Sequence, residues 1–224
     1  MRKASEIIGA EQRSRIETAV SAAESRTCCE IVPVVATVSG RYDRAEDLAG
    51  LWCAVVGAVV AFLMLPGHTD DGRWGGIPMW GQVVLLAVVM LLSFVAGAAI
   101  AERLHVLRRV FTPRQQMQEE VNLRARELFF DRRVHHTTGA SGLLIFVSLY
   151  ERMAVVLGDR SVVEALGQTF CEDLCQRLTN RLREEDMAAA ICDTIHHAAA
   201  SLESALPRTD HDANELPDTL VLLD

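Results

Sequence analysis

Most sequence signatures of catalysis are missing from this chain of 224 residues. It contains no G-x-S-x-G serine-hydrolase motif, no phosphate-binding glycine loop and no H-E-x-x-H zinc motif. It also lacks a C-x-x-C pair, which argues against a zinc ribbon and a thioredoxin-type redox site. No reaction is therefore indicated by a motif, and the function has to be inferred from other features.

The chain also has no excess of positive charge. The chain has 22 Lys and Arg against 30 Asp and Glu, a net charge of −8. Proteins that bind the phosphate backbone are usually basic, so we do not expect a nucleic-acid partner. The first residues, Met1–Gln12, include Arg2 and Lys3 but no apolar stretch, and therefore do not resemble a secretory signal.

Charge is absent altogether from two long internal runs, Leu48–Leu65 and Val83–Ala101. Uncharged apolar runs of about 18 residues or more are typical of membrane-spanning helices. The sequence thus predicts a transmembrane hairpin, with spans at 48–65 and 82–101 and an external loop at 66–81. A pair of buried core helices is the alternative. Because neither span contains an ionisable side chain, an anchor is favoured over a channel or transporter.

The arginines around these runs predict an orientation. Cytoplasmic flanks of membrane spans are enriched in Lys and Arg. The loop between the runs contains one basic residue, Arg73. The two flanks together contain six arginines, which are Arg41, Arg44, Arg103, Arg108, Arg109 and Arg114. Both termini are therefore expected in the cytoplasm.

The remaining sequence, 1–47 and 102–224, predicts one discontinuous α/β domain. Runs rich in β-branched residues predict three strands, and the second and third are close enough to form an antiparallel hairpin. Pro33 has no N–H to donate, so the first strand is expected at a sheet edge or to start after it. The predicted strands are 30–38, 142–149 and 153–157, and apolar periodicity predicts helices at 11–25, 114–131, 161–167, 168–183 and 186–205. For the tail two arrangements stay open, a further short edge strand or a segment that packs across the sheet. Three strands with helices on either side give an α/β sandwich.

Six cysteines are present, and two of them, Cys171 and Cys175, lie four residues apart in a predicted helix. Free cysteine is often a small buried apolar residue. We therefore expect these two side chains to be core residues in a reducing compartment.

Several short blocks of the sequence form a recognisable series: Cys29–Val34, Ala125–Phe129, Thr137–Ser148, Glu151-Arg152, Val155–Asp159 and Asn214–Asp218. The most specific part is a strand, Glu-Arg, strand, Gly-Asp sequence. Together the blocks resemble the TPM domain, a family named for plant thylakoid proteins and a nematode receptor modulator. The resemblance covers about residues 5–224 with the apolar hairpin as a subfamily insertion, and the last block resembles the tail of bacterial membrane-bound members.

The resemblance implies a small central sheet flanked by helices. Some members of the family have reported acid-phosphatase activity and bind divalent cations, whereas others modulate membrane proteins without known catalysis. For this chain it implies location in a bacterial inner membrane. It also makes Ca²⁺ or Mg²⁺ the cofactor to be considered.

Two carboxylates are the candidate metal ligands. Asp159 follows a strand and a glycine, where a side chain can face a crevice, although it can equally cap the next helix. Glu30 opens the first strand and would complete a site for a hard cation if the strand ends meet. Glu151 and Arg152 are candidate binding residues, although an exposed ion pair in the turn is the simpler interpretation.

Two functions follow from these observations. The first is a non-enzymatic binding or modulating module, tethered to the membrane and acting on a protein partner or on another copy of itself. The second is a metal-dependent phosphatase in which Asp159 is the nucleophile or a ligand. The absence of a convergent catalytic set favours the first.

Overall fold

The computed structural model describes residues 3–40, 43–64, 79–103, 112–137, 139–208 and 214–224. These residues form eight helices and a four-stranded sheet in two compact units. Unit 1 comprises 1–40 and 117–224, and unit 2 comprises 41–116. The helices are α1 (Ala4–Ile7), α2 (Ala10–Glu24), α3 (Asp43–Met64), α4 (Met79–Arg103), α5 (Arg114–Asp131), α6 (Arg160–Leu166), α7 (Gln168–Glu184) and α8 (Met187–Ala205). The strands are β1 (Glu30–Ala36), β2 (Gly142–Ser148), β3 (Met153–Gly158) and β4 (Val221–Leu223).

The sheet in unit 1 has the order β3-β2-β1-β4. Strands β1 and β2 are parallel, with Glu30 opposite Gly142. Strands β2 and β3 form the antiparallel hairpin that the sequence predicts. The tail supplies β4, which is parallel to β1 and begins opposite Val34. The α/β class predicted from the sequence is therefore confirmed, with one more strand than the three that were assigned.

Pro33 explains why β4 starts where it does. The Ile31 N–H donates to the side chain of Glu24 and not to a strand, so this side of β1 faces away from β2. The backbone groups of residue 33 point to the same side as those of residue 31, because the direction alternates from one residue to the next along a strand. Strand β4 pairs with β1 only from Val34 onward. The N–H that Pro33 lacks would therefore point to a side of β1 that has no neighbouring strand at that position. The sequence predicted that β1 lies at a sheet edge or starts after Pro33. Both are wrong for the strand as a whole, because β1 begins at Glu30 and lies between β2 and β4, although its first half has no neighbour on the β4 side.

Each face of the sheet carries its own apolar core. Alternate residues of a strand point to opposite faces, so Ile31 and Val35 join one core while Val32 and Val34 join the other. The first core is covered by α2, α7 and α8. The second is covered by α5, whose buried residues recur at helical spacing: Met117, Val121, Ala125 and Leu128. The polar side chains of the four described strands, Glu30 and Ser148, both lie at strand ends.

Unit 2 consists chiefly of α3 and α4, which pack against each other through small residues. A Cβ built on Gly97 would lie 2.6 Å from the Cβ of Cys53, and one on Gly57 would lie 2.2 Å from the Ser93 hydroxyl oxygen. Small residues allow such close approach of helix backbones. The predicted loop at 66–81 falls outside the described residues except for its last three, which belong to the first turn of α4.

Both helices of unit 2 contain segments long and apolar enough to cross a membrane, Asp47–Met64 and Trp80–Ala101. Only 17% of the first segment and 6% of the second are buried within the protein. The alternative of two buried core helices is therefore not what the structure shows.

Candidate functional site

Glu30 lies at the start of β1 and is 6% exposed. Its Oε1 accepts a hydrogen bond from the Glu215 N–H at 3.1 Å, and its Oε2 accepts one from the Leu216 N–H at 3.2 Å. Bonds from backbone N–H groups to an ionised carboxylate are stronger than neutral ones. Glu30 therefore holds Glu215 and Leu216 of the C-terminal tail beside β1, a few residues before β4 begins.

Glu24 lies on the same open side of β1. Its Oε1 accepts the Ile31 N–H at 2.9 Å, replacing the bond that a neighbouring strand would otherwise make. Its Oε2 is buried. The carboxylates of Glu30 and Asp218 interact with it electrostatically. We refer to Glu24, Glu30 and Asp218 as the acidic cluster.

Burial raises the pKa of Glu24 to about 9. The Ile31 N–H lowers this pKa, whereas the negative charges of Glu30 and Asp218 raise it further. Glu24 is therefore protonated near neutral pH and able to donate a hydrogen bond towards Asp218. The acidic cluster thereby carries one negative charge fewer than its composition implies.

Replacing Glu24 with Gln should stabilise the protein at alkaline pH. The folded chain retains the Glu24 proton up to about pH 9, whereas the unfolded chain loses it near its ordinary pKa of 4.5. Between these values the unfolded state binds fewer protons, so stability falls as pH rises. Glu24→Gln keeps an oxygen for Ile31 and should raise the free energy of unfolding by ~1–2 kcal/mol near pH 8, allowing for partial solvent screening.

The difference between the two proteins should vanish near pH 4, where both states of the wild type are protonated. Denaturant titrations across this pH range measure it. Glu172→Gln, at an exposed position of α7, is the matched control and should change little. A Glu24→Gln protein with the same pH dependence as the wild type would contradict the assignment.

Asp159 follows β3 and forms the N-cap of α6. Its Oδ1 accepts the Arg160 N–H at 2.7 Å, and its own N–H donates to the Gly142 carbonyl at 2.8 Å. The capping role that the sequence offered as an alternative is therefore present. Its Oδ2 is buried and makes no hydrogen bond to any residue that the structure describes.

The structure places Glu30 and Asp159 at the same end of the sheet, on strands separated by β2. Strand spacing puts β1 and β3 about 9–10 Å apart. Glu30 is instead grouped with Glu24 and Asp218, neither of which was a candidate from sequence. Among the described residues, no group of three or more His, Cys, Asp or Glu side chains is arranged to hold a metal ion. The two-carboxylate cation site stays a prediction.

Glu151 lies in the turn between β2 and β3, and the exposed ion pair expected there is wrong for this residue. It is 3% exposed. Its Oε1 accepts the Ser39 N–H at 2.9 Å, and its Oε2 accepts the Ser148 hydroxyl, which in turn accepts the Ser39 hydroxyl at 2.8 Å. The turn is further defined by Arg152, which is exposed and has φ 55°.

These bonds join the end of β1 to the β2–β3 turn. They lie at the carboxyl ends of two parallel strands, a usual position for ligand sites. Ser148, however, is only 1% exposed, and its hydroxyl is used within the network. The arrangement is suited to fixing the chain as it leaves β1, and it offers no accessible nucleophile.

Cys171 and Cys175 lie along the outer edge of β3. The Cys175 thiol donates to the Ala154 carbonyl at 3.0 Å, and backbone groups of Val156 and Gly158 also interact with the two sulfur atoms. These three strand residues alternate, so they are the ones whose polar groups point away from β2. Burial raises the pKa of both thiols. The two thiols therefore use hydrogen-bonding positions on the edge of β3 that a further strand would otherwise use.

A comparison with solved structures finds the NMR structure of BA42 protein from the psychrophilic bacterium Bizionia argentinensis. The TM-score is 0.57 with 16% sequence identity, and the match covers 99% of each chain. Similarity at this identity shows a shared fold and nothing more. No family model matches the chain, and no curated protein matches its sequence.

Proposed function

We propose that this chain is a membrane-anchored, TPM-like domain that acts as a non-enzymatic binding or modulating module. In this proposal α3 and α4 cross a bacterial inner membrane and unit 1 is cytoplasmic. The module acts on a protein partner or on a second copy of the chain. The observation that carries the proposal is the apolar surface of unit 2.

That surface is large and continuous along both helices. Trp52 is 61% exposed, Leu63 74% and Met64 80% on α3, while Leu91 is 64% exposed on α4. Soluble monomers rarely expose apolar patches of more than a few hundred Å². Residues of this kind, on helices of membrane-spanning length, are suited to a lipid environment. The flanking arginines support the orientation with both termini inside.

Membrane extraction and tag accessibility test the anchoring. We expect the full chain to stay in the membrane fraction after alkaline carbonate treatment and to be released by detergent. A tag inserted at 66–78 should react with an impermeant reagent outside intact spheroplasts, whereas a C-terminal tag should react only after lysis. Release by carbonate would contradict the anchor, and the opposite labelling pattern would contradict the orientation.

The alternative is a divalent-metal-dependent phosphatase. It is supported by the free, buried Oδ2 of Asp159 at the sheet end that also holds Glu30. The fit is partial, because Glu30 already accepts two backbone N–H groups and lies on another strand. A hard cation prefers six or more oxygen ligands, so Ca²⁺ or Mg²⁺ held by Asp159 would keep several waters.

Phosphate-ester hydrolysis distinguishes the two functions. With p-nitrophenyl phosphate and added Ca²⁺ or Mg²⁺, we expect the full chain to show no more hydrolysis than its Asp159→Ala variant. Asp173→Ala, an exposed position on α7, is the matched control. Hydrolysis that is lost in Asp159→Ala and on chelation, but kept in Asp173→Ala, would establish the phosphatase instead.

A further inference from the structure

The outward side of α5 carries two large apolar residues that no core uses. Leu123 is 55% exposed and Phe130 is 61% exposed. They are seven residues apart, which places them on one side of the helix. The residues of α5 that contact the sheet lie on the opposite side. An exposed pair of this size in an otherwise polar helix suggests a contact surface.

Phe130 is held in place by the turn that follows α5. Its ring centroid is 4.7 Å from that of His135, and Phe129 contacts it edge-on at 6.2 Å. The turn itself is fixed by Val134, which is fully buried and donates its N–H to the Phe129 carbonyl at 3.1 Å. An ordered aromatic ring loses little conformational entropy when it enters an interface.

Positive charge surrounds this aromatic group. Arg126, Arg132 and Arg133 are exposed and make no ion pair with any described residue. Two acidic residues lie nearby: Glu127 is paired with Arg124 at 3.0 Å, and Asp131 is exposed, so the three arginines outnumber the remaining carboxylate. A local group of exposed arginines is unusual in a chain with a net charge of −8. We call this surface the α5 patch; its residues are Leu123, Arg126, Phe130, Arg132, Arg133 and His135.

We propose that the α5 patch docks onto the surface of a bilayer that contains anionic lipids. Arginine pairs with phosphate groups through its fork of N–H donors, and aromatic rings favour the headgroup region. Charge complementarity favours this partner, because the basic patch on an acidic protein matches the negative cytoplasmic leaflet. The inference rests on the proposed membrane anchoring and adds a second, lipid-dependent contact to it.

The test uses the full chain in nanodiscs, with an environment-sensitive fluorescent amino acid replacing Phe130. One set of nanodiscs contains phosphatidylcholine alone and the other about one-third phosphatidylglycerol. In the anionic nanodiscs we expect a blue-shifted emission and loss of about half of it to lipids brominated near the headgroup. Both signals should fall towards the neutral-lipid values in about 1 M salt, where screening extends only ~3 Å.

Charge reversal supplies the matched comparison. Arg126→Glu, Arg132→Glu and Arg133→Glu together should abolish both signals, whereas Arg15→Glu, Arg160→Glu and Arg183→Glu change the net charge equally on other surfaces and should preserve them. Equal emission in neutral and anionic nanodiscs would overturn the docking proposal. Co-elution of the chain with either nanodisc reports anchoring independently, so loss of docking and loss of the anchor are distinguishable.

Discussion

Excision of residues 41–116, with Gly40 joined to Met117 by a flexible linker of about eight Gly and Ser residues, should yield a soluble, folded domain. The expected change is complete transfer from the membrane fraction to the soluble fraction. Unit 1 retains the four strands and both apolar cores without these residues. The ends to be joined are close, because a Cβ on Gly40 would lie 2.8 Å from the Glu120 Cγ.

Sedimentation, gel filtration and circular dichroism measure this outcome. As a control, the same linker should replace only 66–78, which leaves both apolar helices in place and should keep the protein in the membrane. A soluble but unfolded product of the excision would show that unit 1 depends on unit 2 for folding. A folded product that still sediments with membranes would show that α3 and α4 are not the main anchor.

Glu30→Ala should destabilise unit 1 and release its tail. The substitution leaves the N–H groups of Glu215 and Leu216 without their acceptor, and such losses cost about 1–3 kcal/mol each when the groups remain buried. Removing the charge of Glu30 also removes its repulsion of Glu24. This gain in stability is small, because Glu24 is protonated and therefore uncharged near neutral pH. Glu215 is exposed, so its N–H can bond to water, and we expect a net loss of about 1–3 kcal/mol in the free energy of unfolding. Glu30→Gln, which retains one acceptor oxygen, should lose less.

Two measurements separate these effects. Denaturant unfolding reports the free energy, and limited proteolysis followed by mass spectrometry reports cleavage within 209–220. Glu172→Ala on α7 is the control and should resemble the wild type in both. Unchanged proteolysis of the tail in Glu30→Ala would show that Leu216 and Leu220 hold the tail without the carboxylate.

Local pattern was sufficient to predict most elements of unit 1. Helix α5 was predicted with the bounds observed, since its four buried residues recur at helical spacing. Strands β1 and β2 were predicted from β-branched runs and are fully buried. Strand β4 was left open because three residues carry little periodicity, and α1 was missed because its four residues form a single turn.

The polar sites were less predictable because they depend on contacts between distant segments. Glu24 and Asp218 are far apart in sequence and meet only where β1 lacks a neighbouring strand. Glu151 has the composition of a solvated turn, but Ser39 and Ser148 bury it. One signal was available for the acidic cluster: acidic residues precede both β1 and the apolar end of the tail.

The thiols along β3 have a consequence for aggregation. An unpaired strand edge is a template on which copies of a protein can polymerise. Here Cys171 and Cys175 cover the β3 edge, and at the other end of the sheet β4 is only three residues long. Neither end offers a full strand to a neighbour. Burial raises the pKa of both thiols, and oxidation follows thiolate character and exposure, so the cover over the β3 edge resists oxidation.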